Sequence, residues 1–237
     1  MKISIIIFLT ALILIALFGC GGSSSGGSAT TGGGAFTFTV DPAAIPVLRP
    51  GQSVHLRVLA RSGSTIVADS DLDTGFGFTV SPSSLGSVDQ SHNLVASSSL
   101  TGRLNGTLTV SYGGSNASYA ISADAFLGLW AGEQHINPLL GGQDDEGNIN
   151  VTIDANGVVS GTISRNNPFE SVSLQGTIDG SNHMRLQWKF SDEQQRTAVG
   201  TVQVSSGHLQ PTSIDKTLTV SDNGGAVGTL FFELNPN

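Results

Sequence analysis

Four times between residues 161 and 230 the chain repeats a glycine, a threonine and an aliphatic residue inside an alternating stretch, at 161–163, 176–178, 200–202 and 228–230. Glycine weakens an ordinary strand, so its recurrence marks places where a sheet bends sharply or another backbone comes close. Sheets that close on themselves need such bends. The alternation around these units predicts strands at 127–134, 148–154, 158–164, 171–178, 183–190, 197–204, 216–221 and 227–234. Turn residues such as Ala155-Asn156-Gly157 and Asp179-Gly180-Ser181-Asn182 join most of them. Short antiparallel strands in sequential order predict an up-and-down barrel over residues 124–237. On the fifth stretch Met184, Leu186, Trp188 and Phe190 alternate with His183, Arg185, Gln187 and Lys189, giving one apolar and one wet face. Trp130, Ile149, Val151, Ile153, Val172, Leu174, Ile178, Leu230 and Phe232 add further large side chains. A barrel of about eight strands is just wide enough for side chains to fill or for one small ligand. This supply predicts a filled core rather than a ligand cavity.

Residues 35–123 read differently. Phe36, Phe38 and Val40 alternate with threonines, a Pro-rich bend follows, and then Val54, Leu56 and Val58 share one face of a strand while His55 and Arg57 share the other. His55 is accordingly a solvated strand residue. Further strands fit residues 76–80, 94–96, 107–111 and 118–122, and a set of short strands over such a length predicts a β-sandwich. Charged residues make up 12% of the chain, half the usual share of about 25%, and no stretch shows a helical period. The fold class expected is therefore all-β, a sandwich followed by a barrel.

Charge divides the chain at the same place. Residues 35–123 carry four Arg and five Asp; from residue 124 onward five basic residues face thirteen acidic ones. A surface of that sign repels phosphate backbones, so nucleic acid is not expected as a partner.

Ahead of both halves, residues 3–18 are apolar except for Ser4 and Thr10, after a single positive charge at Lys2. Sixteen residues fall short of the ~20 that a spanning helix needs, and a charged head, apolar middle and small residues make a secretory signal. The stretch Leu17, Phe18, Gly19, Cys20 resembles the processing box of a bacterial lipoprotein signal. That resemblance implies cleavage after Gly19 and acylation of Cys20, the chain's single cysteine. Two or more acyl chains hold a protein stably at a membrane. Residues 1–19 are then the signal peptide, and residues 20–34, with the run GGSSSGGSATTGGG, the lipidated cysteine and a flexible tether. Gly21, not Asp, after the cysteine resembles the sorting pattern for an outer membrane, where the organism has one. The expected location is the bacterial cell envelope, exported and lipid-anchored.

Two further resemblances concern the halves. VDPAAIPVLRPGQSVHLRVLA, FTVSPSSLGSVDQSHNLVAS and GTLTVSY resemble successive blocks of a bacterial immunoglobulin-like domain of the invasin and intimin type, which implies a spacer or adhesive module without catalytic residues; Phe78 stands where that family often sets a tryptophan. Gly128-Leu129-Trp130 resembles the opening of a lipocalin-like barrel, although VGTLFFELNPN lacks the arginine which that family's last strand sets over the tryptophan.

Motifs for chemistry are sparse. Outside the glycine-serine tether there is no Gly-x-Ser-x-Gly elbow, and the chain has no His-Glu-x-x-His and no phosphate loop. Asp69-x-Asp71-x-Asp73 begins like a calcium loop, then places Thr74 where glycine belongs and Val80 where the bidentate glutamate belongs. Gln143, Asp144, Asp145 and Glu146 with Glu133 and His135 are a second grouping that a cation would suit, against the plainer reading of an exposed acidic turn. No metal, cofactor or catalytic residue is assigned, and the protein is not expected to be an enzyme. The expected function is a non-catalytic binding, adhesion or scaffold module on a membrane, partnered through its lipid and by another surface protein or a glycan. A carrier of a small apolar ligand in the barrel is the alternative, and a hydrolase ranks last.

Overall fold

The computed structural model describes residues 30–32, 35–139, 144–213, 216–222 and 225–237. The expected signal, Cys20 and the tether up to residue 29 lie outside the described residues. Every regular element described is a strand. No helix among the described residues is long and apolar enough to cross a membrane.

The first half contains β1 (Thr30–Gly32), β2 (Thr37–Asp41), β3 (Ser53–His55), β4 (Arg57–Ser62), β5 (Thr65–Asp69), β6 (Gly77–Ser81), β7 (Gly86–Val88), β8 (Asn93–Ala96), β9 (Arg103–Tyr112) and β10 (Ser115–Asp124). They form three sheets, ordered β1-β10-β9-β6, β2-β4-β5 and β3-β8-β7, around one apolar cluster that includes Phe38, Leu56, Val58, Leu108, Val110 and Tyr119. The alternation over residues 54–58 reads as one strand but serves two sheets. Val54 pairs with Leu94 and Val58 with Val40, and between them the Leu56 N–H donates to the His92 carbonyl at 2.9 Å. Side-chain alternation survives a change of partner, so the pattern alone does not reveal the crossing.

One expectation needs correction here. Thr30–Gly32, placed in the flexible tether, pair antiparallel with Asn116–Ser118; an edge strand needs only backbone donors and acceptors, which a polar, glycine-rich sequence supplies as well as any other. Phe78 is half-buried, packed against the sandwich cluster and beside the His92 ring, 5.2 Å between centroids.

The second half contains β11 (Gly128–Pro138), β12 (Asp145–Ile153), β13 (Val158–Asn166), β14 (Phe169–Ile178), β15 (His183–Trp188), β16 (Arg196–Ser205), β17 (His208–Pro211), β18 (Thr217–Asp222) and β19 (Gly225–Pro236). Each pairs antiparallel with the next as far as β17, and β11 pairs with both β12 and β19, so that Trp130 lies opposite Val151 on one side and Pro236 on the other. The sheet is thereby closed. Its seventh stave is broken: β17 covers the end of β16, with Val202 opposite Pro211, and β18 covers the beginning, with Val199 opposite Thr219. Eight staves thus make a closed antiparallel barrel, at the expected positions apart from the short β17. The repeated glycines sit where backbones crowd: a Cβ on Gly161 would meet the Asn150 carbonyl oxygen, and one on Gly176 that of Arg185.

The lumen is filled. Trp130, Ile149, Val151, Ile153, Leu174, Met184, Leu186, Trp188, Phe190, Leu230 and Phe232 all belong to one buried cluster. A polar side chain lies among them: Gln134, fully buried, donates from Nε2 to the Ser164 carbonyl at 2.8 Å while its Oε1 has no partner.

Candidate functional site

The two ends of the barrel are built by different means. One meets the sandwich. Asp124, the last residue of β10, has a 0% exposed side chain and accepts from Arg103 Nε at 3.0 Å and Nη2 at 2.6 Å, and its other oxygen accepts the Phe126 N–H at 2.8 Å. The same Nη2 reaches the Ala155 carbonyl at 3.1 Å, in the turn between β12 and β13. Backbone bonds run beside this clamp, from Ala125 to Gly102 at 3.1 Å and from Val204 to Thr101 at 2.9 Å. An ion pair shielded from water and tied to backbone on both sides fixes the angle at which the strand leaves the sandwich. Phe126 then enters the barrel core, and its carbonyl accepts from Trp130 Nε1 at 2.5 Å.

Beside the clamp the seam opens into a cavity of about 510 Å3, lined mainly by Leu100, Ala125, Leu127, Leu129, Trp130 and Pro236. Arg49 and a few hydroxyls stand at its edge. Next to it Gly128 has φ +125°, and a Cβ there would meet the Arg49 guanidinium, so this arginine of the sandwich lies against the first strand of the barrel.

The opposite, distal end is closed by charge. Arg165, a 4% exposed side chain on β13, donates from Nη2 to Glu170 at 2.8 Å and Asp192 at 2.6 Å and from Nη1 to Glu193 at 3.3 Å, with its guanidinium 4.5 Å above the Phe190 ring. Arg196 continues the lattice to Glu193 at 2.7 Å and Asp145 at 3.2 Å. Burial pushes the Glu193 carboxyl above its ordinary range, whereas the Arg165 hydrogen bond holds Asp192 below it. No local pattern in the sequence marks this group, because its six members come from separate strands and turns. Two large apolar side chains stand at this end, Phe169 at the start of β14 with 78% exposure and Leu139 just past β11 with 57%.

Of the sequence-derived cation candidates, Gln143 lies outside the described residues and the others do not assemble. Asp69 is held by Arg57 through Nε and Nη2, Asp73 accepts the Asp69 N–H at 2.8 Å, and Asp71 lies 3.2 Å from His55 Nε2. A guanidinium therefore sits where the calcium reading needs a metal, and the Arg57 hydrogen bond keeps the Asp69 carboxyl below its usual range. Asp145 and Glu146 are neighbours in a strand and so point to opposite faces. Asp145 turns to Arg196, while Glu146 lies 3.5 Å from His135 on the outer wall, and Glu133 stands opposite Glu233 instead. Among the described residues no three His, Cys, Asp or Glu side chains converge as metal ligands would. His55 is exposed on its strand, as expected, with Asp71 as its partner.

Comparison with known protein families, curated proteins and solved structures found no match to this chain.

Proposed function

We propose that the chain is a lipid-anchored envelope protein in which the sandwich is a spacer and the barrel a displayed, non-catalytic binding or adhesion head. One observation carries this reading. β1, where the tether would join, pairs with β10 as far along as Ser118, and β10 then runs on for roughly 20 Å before Asp124 passes into the barrel. The sandwich residues that touch the barrel, among them Thr101, Gly102 and Arg103, gather at that same end. The buried clamp favours a fixed orientation of the head over a swinging one. The exposed Phe169 and Leu139 at the distal end supply apolar contact area of the kind a partner surface buries. The filled lumen supports a head that binds on its outside over a carrier that binds within.

The test has two arms. Metabolic labelling with a fatty acid should mark the protein, and Cys20→Ser should lose both label and membrane association; an unlabelled, soluble wild type rejects the anchor. Arrays of glycans and envelope proteins probed with the chain should give hits that weaken with Phe169→Ser and persist with Leu72→Ser, an equally exposed change on the sandwich. Hits insensitive to Phe169→Ser would move the contact away from the distal end.

A further inference from the structure

We propose that the seam cavity between sandwich and barrel is a binding site for an amphipathic monoanion, a carboxylate carried on an unbranched apolar chain. The inference is independent of the function proposed above, since it uses the opposite end of the barrel and does not need the anchor.

Size and lining come first. A volume of about 510 Å3 falls within the 300–1,000 Å3 of small-molecule sites, which favour domain interfaces and combine apolar walls with a few polar groups. The walls here are leucines, proline, alanine and the edge of Trp130, and Leu129 remains 51% exposed on a barrel strand whose other outward positions are Ala131, Glu133, His135 and Asn137. Apolar surface of this kind gains by being covered.

Charge then selects the ligand. The chain carries 18 acidic residues, yet none lines this cavity, and the one charged lining residue is Arg49. Arg57, Arg103, Arg165 and Arg196 each have a carboxylate partner, whereas among the described residues no carboxylate lies within salt-bridge distance of Arg49, Arg61 or Arg185, and of these three only Arg49 lines the cavity. Its backbone N–H is fixed by Gln52 Oε1 at 3.0 Å, and its guanidinium rests on Gly128, between the wall residues Leu127 and Leu129. An unpaired fork of donors at the mouth of an apolar recess matches a carboxylate bidentately, with the chain of the ligand lying along the leucines. Ser98, Ser99 and Ser206 at the edge offer hydroxyls but no second charge, which limits the match to a monoanion.

The experiment uses the full chain in phospholipid nanodiscs, titrated with decanoate, decanol and decyltrimethylammonium, with partition into empty nanodiscs subtracted. Trp130 lines the site, so tryptophan emission reports occupancy. Decanoate should saturate and bind about tenfold more tightly than decanol, as expected for one charge-assisted contact, and the cation should bind least. Arg49→Gln should erase the preference for the anion, Arg49→Lys should keep it, and Leu129→Asp, a change at a half-exposed position, should abolish binding of all three. Absence of saturation, equal binding of anion and cation, or a preference that survives Arg49→Gln would each overturn the proposal.

Discussion

The sandwich and the barrel are both all-β bodies around an apolar cluster, but they fill their interiors with different side chains. The sandwich cluster includes five alanines, Ala60, Ala68, Ala96, Ala117 and Ala123, and its fully enclosed large residues are leucines. The barrel cluster includes a single alanine, Ala198, together with Phe126, Trp130, Trp188, Phe190 and Phe232. Two facing sheets can approach until small residues touch, whereas eight staves closed by hydrogen bonds set a radius that side chains must reach across. Closure therefore dictates residue size, and it also removes the edges that the sandwich leaves open, one of which accepts β1.

The largest expected effect bears on this contrast. Trp188→Ala removes an indole from a wall that cannot move inward, and should cost ~4–5 kcal/mol in urea unfolding, near the top of the range for such truncations. Leu108→Ala in the sandwich should cost ~2–3 kcal/mol, toward the low end for leucine, because the facing sheet can settle into the gap. Equal losses at the two sites would remove the distinction.

Ion pairs give the next step. Arg165→Met leaves Glu170 part-buried without its cation and Glu193 with Arg196 alone, and should destabilise by about 3 kcal/mol. Arg57→Met breaks the corresponding Asp69 pair on the sandwich, where half of the arginine side chain is already in water, and should lose distinctly less. A sandwich variant as damaged as the barrel variant would show that the distal lattice is no more than a surface feature.

The smallest effect is in the pH dependence. Asp69, with its carboxyl held low by Arg57, contributes stability that is present above its unfolded value and is lost as pH falls through the lower folded value. Glu193 has the opposite sign. Its carboxyl is raised by burial, so the folded state takes up the proton first, and the contribution present below the unfolded value is lost as pH rises through the folded one. Glu193→Gln should accordingly gain stability relative to wild type as pH rises through the weakly acidic range, in paired thermal melts. A difference that does not change with pH there would contradict the burial of that carboxylate.

The staves of the barrel were legible in the sequence because each is long enough to show its period of two and is bounded by turn residues. The short β17 was not, since four residues ending in Pro211 give too little alternation to register. The change of sheet at Leu56 was hidden for a different reason: alternation records which face a side chain takes, not which strand lies beside it. Neither end of the barrel could be read. Arg49, Leu129, Val204 and Pro236 meet at the seam, and Arg165, Glu193 and Asp145 at the distal end, from strands far apart in the chain, so no spacing announces them. What could be read of the cation candidates was that their patterns were incomplete, and the structure supplies Arg57 and the two faces of β12 as the reason they do not converge.

The central claim is that the barrel is a solid head, filled by its own side chains and open to ligands only from outside. Trp130→Phe leaves Trp188 as the only tryptophan, buried in the barrel cluster toward the distal end. The emission of that variant, titrated with retinol, haem and decanoate and challenged with acrylamide, reads the lumen directly. The expected result is blue-shifted emission that resists quenching and does not change with any of the three ligands, decanoate included, because its site is at the seam. A saturable shift or quench of Trp188 at micromolar ligand would contradict the filled lumen and make the barrel a carrier.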